Sequence, residues 1–177
     1  VICLSLFAVG AFAQKIDYDK RVEELGITLT PPSTPSANYV KAVRVGNLLY
    51  LSGHGPSRPE GGSITGKVGQ DLTTEEGYDA ARQVGIALLS TMKAELGSLN
   101  KIKRMVKVLG MVNCTPDFED QPKVINGCSD LLVEVFGDNG KHARSAVGMN
   151  ALPSNIAVEI EIIVELLSLI HISEPTR

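Results

Sequence analysis

The chain has few of the residues that define a disulfide scaffold or a nucleic-acid-binding surface. Its 177 residues include 3 cysteines and no tryptophan, and aromatic residues make up only 5%. The 17 basic and 20 acidic residues nearly balance, for a formal net charge of -3. The one local basic cluster, 101–107, is typical of a solvated strand entry. A general nucleic-acid partner is therefore not expected.

The three cysteines are predicted to be structural or to lie outside the folded domain. Cys3 falls in an apolar N-terminal run, which leaves Cys114 and Cys128 in the remaining chain. Neither has a metal-type spacing, and His54 and His142 are remote in sequence. We expect two buried free thiols and no metal site, and a nucleophilic Cys–His pair has no support in the sequence.

Both ends of the chain are excluded from the fold prediction. Residues 1–13 form a short apolar run that ends in an A-x-A pattern, as in the later part of a secretory signal peptide. If the signal is real the protein is periplasmic or secreted, and otherwise it is cytoplasmic; no membrane association is expected after the signal is removed. Residues 14–36 read as an N-terminal extension with a proline-rich linker. Residues 167–177 (LSLIHISEPTR) match one reading frame of a transposase sequencing adapter, and we interpret them as an artefact translated from it, with no functional role.

The remaining chain predicts a ββαβαββ order. Strands 39–45 and 48–52 meet at a Gly46–Asn47 turn, and the first helix starts at a capping box after Thr73 and ends at Gly97. The apolar strand 105–113 is predicted to be central and buried on both faces, and a second helix covers 118–136. Two strands at 143–149 and 158–166 complete one mixed sheet in an α/β (α+β) domain.

Two helices can cover only one face of such a sheet. The opposite face then needs solvent or another subunit against it. A symmetric oligomer is the simplest cover, and pockets at its seams would receive residues from two chains.

The last two strands are interpreted as a β-hairpin that turns at Leu152 and Pro153. That pairing would put Arg144 nearly opposite Glu159 or Glu161. One reading is a solvated ion pair that contributes little. The other is a pocket in which Arg144 binds a carboxylate and Glu159 handles a proton or a water.

The loop SGHGP, 52–56, also admits two readings. Its glycines permit either a close backbone approach to a ligand or a bulge in the strand. His54 within it is either a hydrogen-bonded loop residue or a catalyst.

Several blocks of the chain, in one order, resemble the RidA/YjgF family of enamine and imine deaminases, also labelled L-PSP endoribonucleases. The similarity covers about 37–166. It rests on NYVKAVRVGNLLYLSGHGP, TGKVGQDLTTEEGYDAARQ, VKVLGMVNCTPDF, INGCSDLLVEVFG and ARSAVGMNALPSNIAVEIEIIVE.

The resemblance implies a chorismate-mutase-like fold and a homotrimer with pockets between adjacent subunits. It implies a hydrolase of the 2-iminobutanoate/2-iminopropanoate deaminase type, which converts 2-enamino or 2-imino acids to 2-keto acids and ammonia without a cofactor. Arg144 matches the family's carboxylate-binding arginine, and Glu159 its acidic residue that orients or activates water. Further substrate contacts are implied for Tyr39, Ser52, Gly53, Ala146 and Asn126.

The chain departs from the family pattern at two of these blocks. Ala146 replaces a frequent cysteine, so thiol chemistry at that position is not available. His54 replaces the more usual glutamine and adds a titratable group. Two other functions stay open: a non-catalytic binder of small carboxylates, or a chaperone-like trimer that uses the same pocket. An endoribonuclease is disfavoured by the charge balance.

Overall fold

The computed structural model describes residues 16–35, 37–58 and 60–168. The signal-peptide prediction, Cys3 and all but the first two residues of the predicted adapter segment lie outside these ranges. Within them the helices are α1 (Tyr18–Glu24), α2 (Thr74–Leu96) and α3 (Gln121–Phe136). The strands are β1 (Ala42–Val45), β2 (Leu48–His54), β3 (Ile102–Asn113), β4 (Ala143–Met149) and β5 (Val158–Leu166). The predicted ββαβαββ order is confirmed, and α1 precedes it within the predicted N-terminal extension, 14–36.

Helix α2 begins and ends where its sequence signals predict. The Thr73 side chain accepts from the Glu76 backbone N–H, and the Glu76 side chain accepts from the Thr73 N–H. Gly97 ends the helix in the left-handed conformation at φ 75°. Helix α3 carries Pro122 in its first turn and is followed by Gly137, as the sequence indicates.

Glycines allow α2 and α3 to pack closely. A Cβ on Gly127 of α3 would lie 2.0 Å from the carbonyl oxygen of Tyr78 on α2. One turn further, a Cβ on Gly85 of α2 would lie 2.8 Å from Leu131 Cδ2. The two helices therefore form one layer against the sheet, and Ile125 of α3 lies directly over Gly110 of β3.

The five strands form one mixed sheet in the order β1-β2-β5-β3-β4. The β1–β2 hairpin is confirmed, with Val45 opposite Leu48 and Gly46 at φ 60° in the turn. The predicted hairpin between β4 and β5 is wrong. Strand β4 pairs with β3 in parallel at the sheet edge, and β5 pairs with β3 and β2. The chain from β4 to β5 thus passes over the end of β3.

That crossing is held by a buried asparagine at the end of β3. Asn113 is 1% exposed, and its Nδ2 donates to Asn155 Oδ1 at 2.9 Å and to the Ile156 carbonyl at 3.2 Å. Its backbone N–H donates to the Ala157 carbonyl at 2.9 Å. These bonds fix the segment that the sequence pattern interprets as a hairpin turn.

The prediction that 105–113 is the central strand, buried on both faces, is also wrong. The central position belongs to β5, and β3 lies between β5 and the edge strand β4. Burial alternates along the middle of β3 (Val108 and Gly110 buried, Leu109 and Met111 half-buried), because only its inner face meets the helices. An apolar run along a strand does not identify what covers its second face.

The inner sheet face and the helices form the core, and the outer face is open. On β5 the residues Val158, Ile160, Ile162 and Val164 are at most 2% exposed, as predicted from the alternation. The outer face leaves large apolar side chains in solvent, with exposures between 36% and 61%: Val43, Val45, Tyr50, Val147 and Met149. This face is unusually apolar for a surface that meets only water.

Helix α1 docks on the side of the helical layer. Its Asp17 caps the helix, and Asp19 accepts from the Ser98 hydroxyl at 2.6 Å and the Leu99 N–H at 3.0 Å. Tyr18 packs edge to face on Phe136 with ring centroids 4.7 Å apart. No helix in the described ranges is long and apolar enough to cross a bilayer.

Candidate functional site

Arg144 lies on β4 and is held by α3. Its Nη1 donates to Asn126 Oδ1 at 2.8 Å and to Ser129 Oγ at 3.0 Å. Asn126 and Ser129 are three residues apart on α3 and so share one face of the helix. Asn126, for which the resemblance implies a substrate contact, therefore lies in direct contact with Arg144.

The rest of the Arg144 guanidinium has no protein partner in the described part of the chain. Both protons of Nη1 are used, whereas Nε and Nη2 donate to no described residue, and no described carboxylate forms an ion pair with Arg144. The residue is half-buried. A partly desolvated cation with a free pair of donors is suited to a planar anion, because its fork geometry matches a carboxylate.

Glu159 lies on the outer face of β5, against the glycine of the SGHGP loop. A Cβ on Gly53 would lie 2.0 Å from Glu159 Oε1, so a side chain at Gly53 would displace the carboxyl group. The glycine sits where the β2–β5 register shifts between Leu51 and His54. Gly53 therefore provides both the irregularity and the space that Glu159 occupies.

The pKa of the Glu159 carboxyl is raised, first by its partial burial and then by the nearby charge of Glu161. Both effects disfavour the ionised form. A carboxyl with a raised pKa exchanges a proton more readily near neutral pH than an ordinary glutamate does.

Ser52 and Tyr39 lie on the same side of the molecule as Gly53. The Ser52 hydroxyl donates to the Val40 carbonyl at 2.6 Å, and its N–H donates to the Lys41 carbonyl at 3.0 Å. These bonds fix the segment that leads into β1. Tyr39 precedes Val40 and is 53% exposed.

Arg144 and Glu159 do not meet within one chain. Arg144 shares the inner face of the sheet with Val108 and Ile162, while Glu159 shares the outer face with Met111 and Val147. Strand β3 also separates them. The interpretation of Arg144 and Glu159 as a cross-strand ion pair is therefore wrong, because it assumed that β4 and β5 pair.

The candidate residues form two separate groups. The arginine group is Arg144, Asn126 and Ser129, with Ala146 half-buried further along β4 and packed against the core. The glutamate group is Glu159, Gly53, Ser52 and Tyr39. The roles of these residues stay predictions.

His54 is a hydrogen-bonded structural residue. It is 5% exposed; its Nδ1 donates to the Ser52 carbonyl at 2.7 Å, so its Nε2 accepts from the Thr91 hydroxyl at 2.8 Å. Burial lowers the pKa of His54 and favours the neutral form. Of the two readings left open by the sequence, the geometry favours the first.

The two described cysteines are buried and free, as predicted. Burial raises the pKa of the Cys128 thiol to about 12, with Arg144 opposing part of that effect, so this thiol stays protonated. In the described ranges no group of three or more Cys, His, Asp or Glu side chains could hold a metal ion.

Sequence reasoning missed Ser129 and His142. Ser129 Oγ lies 3.1 Å from His142 Nε2, and His142 Nδ1 lies 2.7 Å from the Gly140 carbonyl. The sequence position of each residue could have indicated that it lies near Arg144. Ser129 follows Asn126 by three positions on a helix, and His142 precedes Arg144 by two positions at the start of a strand.

The chain is similar to proteins of a known family. A family model described as "YjgF/chorismate_mutase-like, putative endoribonuclease" matches residues 19–166. A curated relative, protein TCP17 of Trypanosoma cruzi, is 44% identical over 92% of this chain and 99% of its own length. A 2-iminobutanoate/2-iminopropanoate deaminase of Dermatophagoides farinae is 33% identical over 73% of this chain and 87% of its own length.

Solved structures agree. The protein Atu1372 of Agrobacterium tumefaciens, a protein of unknown function, is 43% identical and superposes with a TM-score of 0.77, covering 85% of this chain and 94% of that one. Sequence match and superposition extend over most of the described chain. The chain therefore belongs to the YjgF/chorismate-mutase-like family, which is the same RidA/YjgF family that its sequence resembles.

Proposed function

We propose that the protein hydrolyses reactive 2-imino and 2-enamino acids to 2-keto acids and ammonia. The observation that carries this proposal is the Arg144 guanidinium, which is half-buried, held through one nitrogen and left with free donors and no described counter-ion. Such a group binds a substrate carboxylate at little reorganisation cost. The deaminase name of the Dermatophagoides farinae relative supports the same assignment.

The active pocket is formed between subunits of a homotrimer. The arginine and glutamate groups lie on opposite faces of one sheet, so one chain cannot apply both to a single small substrate. The open outer face carries Val43, Tyr50 and Val147, which another copy of the chain would cover. The proposal requires that packing of copies bring the glutamate group of one subunit next to Arg144 on the edge strand β4 of its neighbour.

The reaction needs one group that binds the substrate carboxylate and another that accepts and donates one proton at a time. Water adds to the C=N carbon, a C–O bond forms, and the π pair moves to nitrogen. Glu159 accepts one proton of the attacking water and passes it to that nitrogen, which gives a carbinolamine. Glu159 then accepts the proton of the carbinolamine hydroxyl and passes it to the amine nitrogen. The C–N bond breaks with its electron pair leaving on nitrogen as ammonia, and an oxygen lone pair forms the C=O bond of the keto acid. Arg144 holds the carboxylate throughout.

A direct assay tests this function. Purified protein is expected to accelerate ammonia release from freshly generated 2-iminopropanoate above the uncatalysed rate, and Arg144→Ala is expected to remove the acceleration. The variant should keep its fold by circular dichroism, because Arg144 contributes hydrogen bonds at the sheet edge and little to the core. Full activity in Arg144→Ala would disprove the assigned role.

The pH profile gives a second test of Glu159. As the base, Glu159 must be ionised, so kcat/KM should fall as the pH drops through its pKa. Glu161→Gln removes a charge that raises that pKa, so the acid limb should move to lower pH. Glu165→Gln is the matched control: Glu165 lies on the same strand and face but pairs with Lys103 at 2.7 Å. An acid limb that does not move in Glu161→Gln would exclude Glu159 as the titrating group.

The same variants separate the alternative functions. On the outer face Lys103 is paired with Glu165, and Lys107 Nζ donates to Ser145 Oγ at 2.8 Å, so these cations are engaged within the protein. RNA cleavage that survives Arg144→Ala and repeated purification would assign a ribonuclease to another surface. Saturable binding of pyruvate without turnover of any imine would favour a carboxylate-binding protein.

A further inference from the structure

A chain of hydrogen bonds runs from a backbone carbonyl to Arg144 through two side chains. His142 Nδ1 lies 2.7 Å from the Gly140 carbonyl, and His142 Nε2 lies 3.1 Å from Ser129 Oγ. Ser129 Oγ accepts from Arg144 Nη1 at 3.0 Å. The chain thus connects the turn before β4, helix α3 and β4 itself.

The chemistry of its ends fixes the direction of every bond. A carbonyl oxygen can only accept, so His142 Nδ1 carries the proton and donates to Gly140. In the neutral ring Nε2 is then an acceptor, so the Ser129 hydroxyl donates its hydrogen bond to Nε2. With its proton directed to His142, Ser129 presents an oxygen lone pair to Arg144 Nη1.

The surroundings keep His142 in this neutral form. Burial lowers the pKa of His142, and the positive charge of Arg144 on β4 lowers it further, while the bond to Gly140 opposes them. Neighbouring charged groups on the elements around His142 interact with other residues. Asp130 on α3 accepts from Tyr78 of α2 at 3.1 Å, Lys141 pairs with Asp138 at 2.8 Å, and Lys107 of β3 donates to Ser145.

These hydrogen bonds determine the orientation of the Arg144 guanidinium. Both Nη1 protons are directed, one to Asn126 and one to Ser129, which fixes the guanidinium plane. The Nε and Nη2 donors then form the free edge that a carboxylate would meet. A Ser129 hydroxyl without His142 would be free to rotate, and its lone pair would no longer be directed to Arg144.

We propose that His142 is a positioning residue that acts through Ser129 to orient Arg144 for carboxylate binding. This inference rests on the proposed role of Arg144. In this proposal neither His142 nor Ser129 contacts the substrate, so their effects on binding should be coupled to each other and dependent on Arg144.

A double-mutant cycle on pyruvate affinity, measured by titration calorimetry, tests the coupling. Ser129→Ala is expected to weaken pyruvate binding about 10-fold, and His142→Phe about 5-fold, since a hydrogen bond to a charged group is worth on the order of 10-fold or more in binding. His142→Gln offers an amide oxygen near the position of Nε2 and should recover most of the affinity lost in His142→Phe. In the Ser129→Ala background, His142→Phe should cause no further loss.

The outcomes that overturn the proposal are specific. Equal losses from His142→Phe in both backgrounds, or no loss in either, would show that His142 does not act through Ser129. A His142→Gln variant as weak as His142→Phe, with an unchanged unfolding temperature, would do the same. If Arg144→Ala binds pyruvate like the unaltered protein, or if the unaltered protein does not bind it, the proposed function itself fails. If pyruvate binding is lost in Arg144→Ala but unchanged in the His142 variants, the positioning role of His142 is disproved and the proposed function is not.

Discussion

Two variants that are each inactive, Arg144→Ala and Glu159→Gln, are expected to regain activity when their subunits are mixed in one oligomer. The reason is geometric. Arg144 lies on the inner face of β4 and Glu159 on the outer face of β5, with β3 between them, so a pocket that uses both takes them from different chains. In the proposed trimer each interface would pair the arginine group of one subunit with the glutamate group of the next. Random mixing of equal amounts restores both residues at about one quarter of all interfaces, and at about one third of the interfaces in trimers that contain both variants.

The measurement uses two affinity tags, so that only mixed oligomers are isolated before the 2-iminopropanoate assay. The control replaces the Glu159→Gln subunit with the double variant Arg144→Ala/Glu159→Gln. Mixed with Arg144→Ala, that subunit contributes no Arg144, so no interface can hold both residues. Recovery in the first mixture and none in the control supports an intersubunit pocket. Isolated mixed oligomers with no recovery in either would contradict it.

Short-range signals in the sequence predicted most of the elements. The capping box at Thr73 and Glu76, the left-handed Gly97 and the turn at Gly46 each act within a few residues, so the pattern contains the whole interaction. The alternation in β5 likewise identified its buried face. These features depend on contacts between residues that are close together in the sequence.

The pairing of β4 was predicted wrongly because it depends on a distant residue. Two extended segments with Pro153 between them fit either a hairpin or a crossing over a third strand. The difference lies in Asn113, whose buried amide holds Asn155 and Ile156 above the end of β3. No local pattern around 150–157 indicates that partner.

The members of the candidate site stay a prediction, and the structure corrects how they are arranged within one chain. The family resemblance brought Arg144, Asn126 and Glu159 together, and the structure divides them between two faces of the sheet. Ser129 and His142 were missed because a serine on a helix and a histidine before a strand are common in structural roles. Their importance depends on the hydrogen bonds that connect them to Arg144.

A single methyl group at Gly127 is expected to destabilise the fold strongly. The Cβ of Gly127→Ala would lie 2.0 Å from the Tyr78 carbonyl oxygen, so α2 and α3 must move apart. Overpacking against backbone costs about 3 kcal/mol or more, while alanine regains only about 1 kcal/mol of helix propensity. The steric effect is larger, and we expect a net loss of about 2 kcal/mol or more in urea unfolding at matched protein concentration.

Gly85→Ala is the matched control, since Gly85 is also buried in the same helix pair. Its Cβ would lie 2.8 Å from Leu131 Cδ2 and 3.4 Å from Cys128 Sγ, and the Leu131 side chain can rotate away from it. The same gain of about 1 kcal/mol in helix propensity then offsets most of the cost, so the net change should stay within about 1 kcal/mol. Equal stability losses in the two variants would contradict this explanation, because they would show that backbone contact between α2 and α3 is not what requires glycine at position 127.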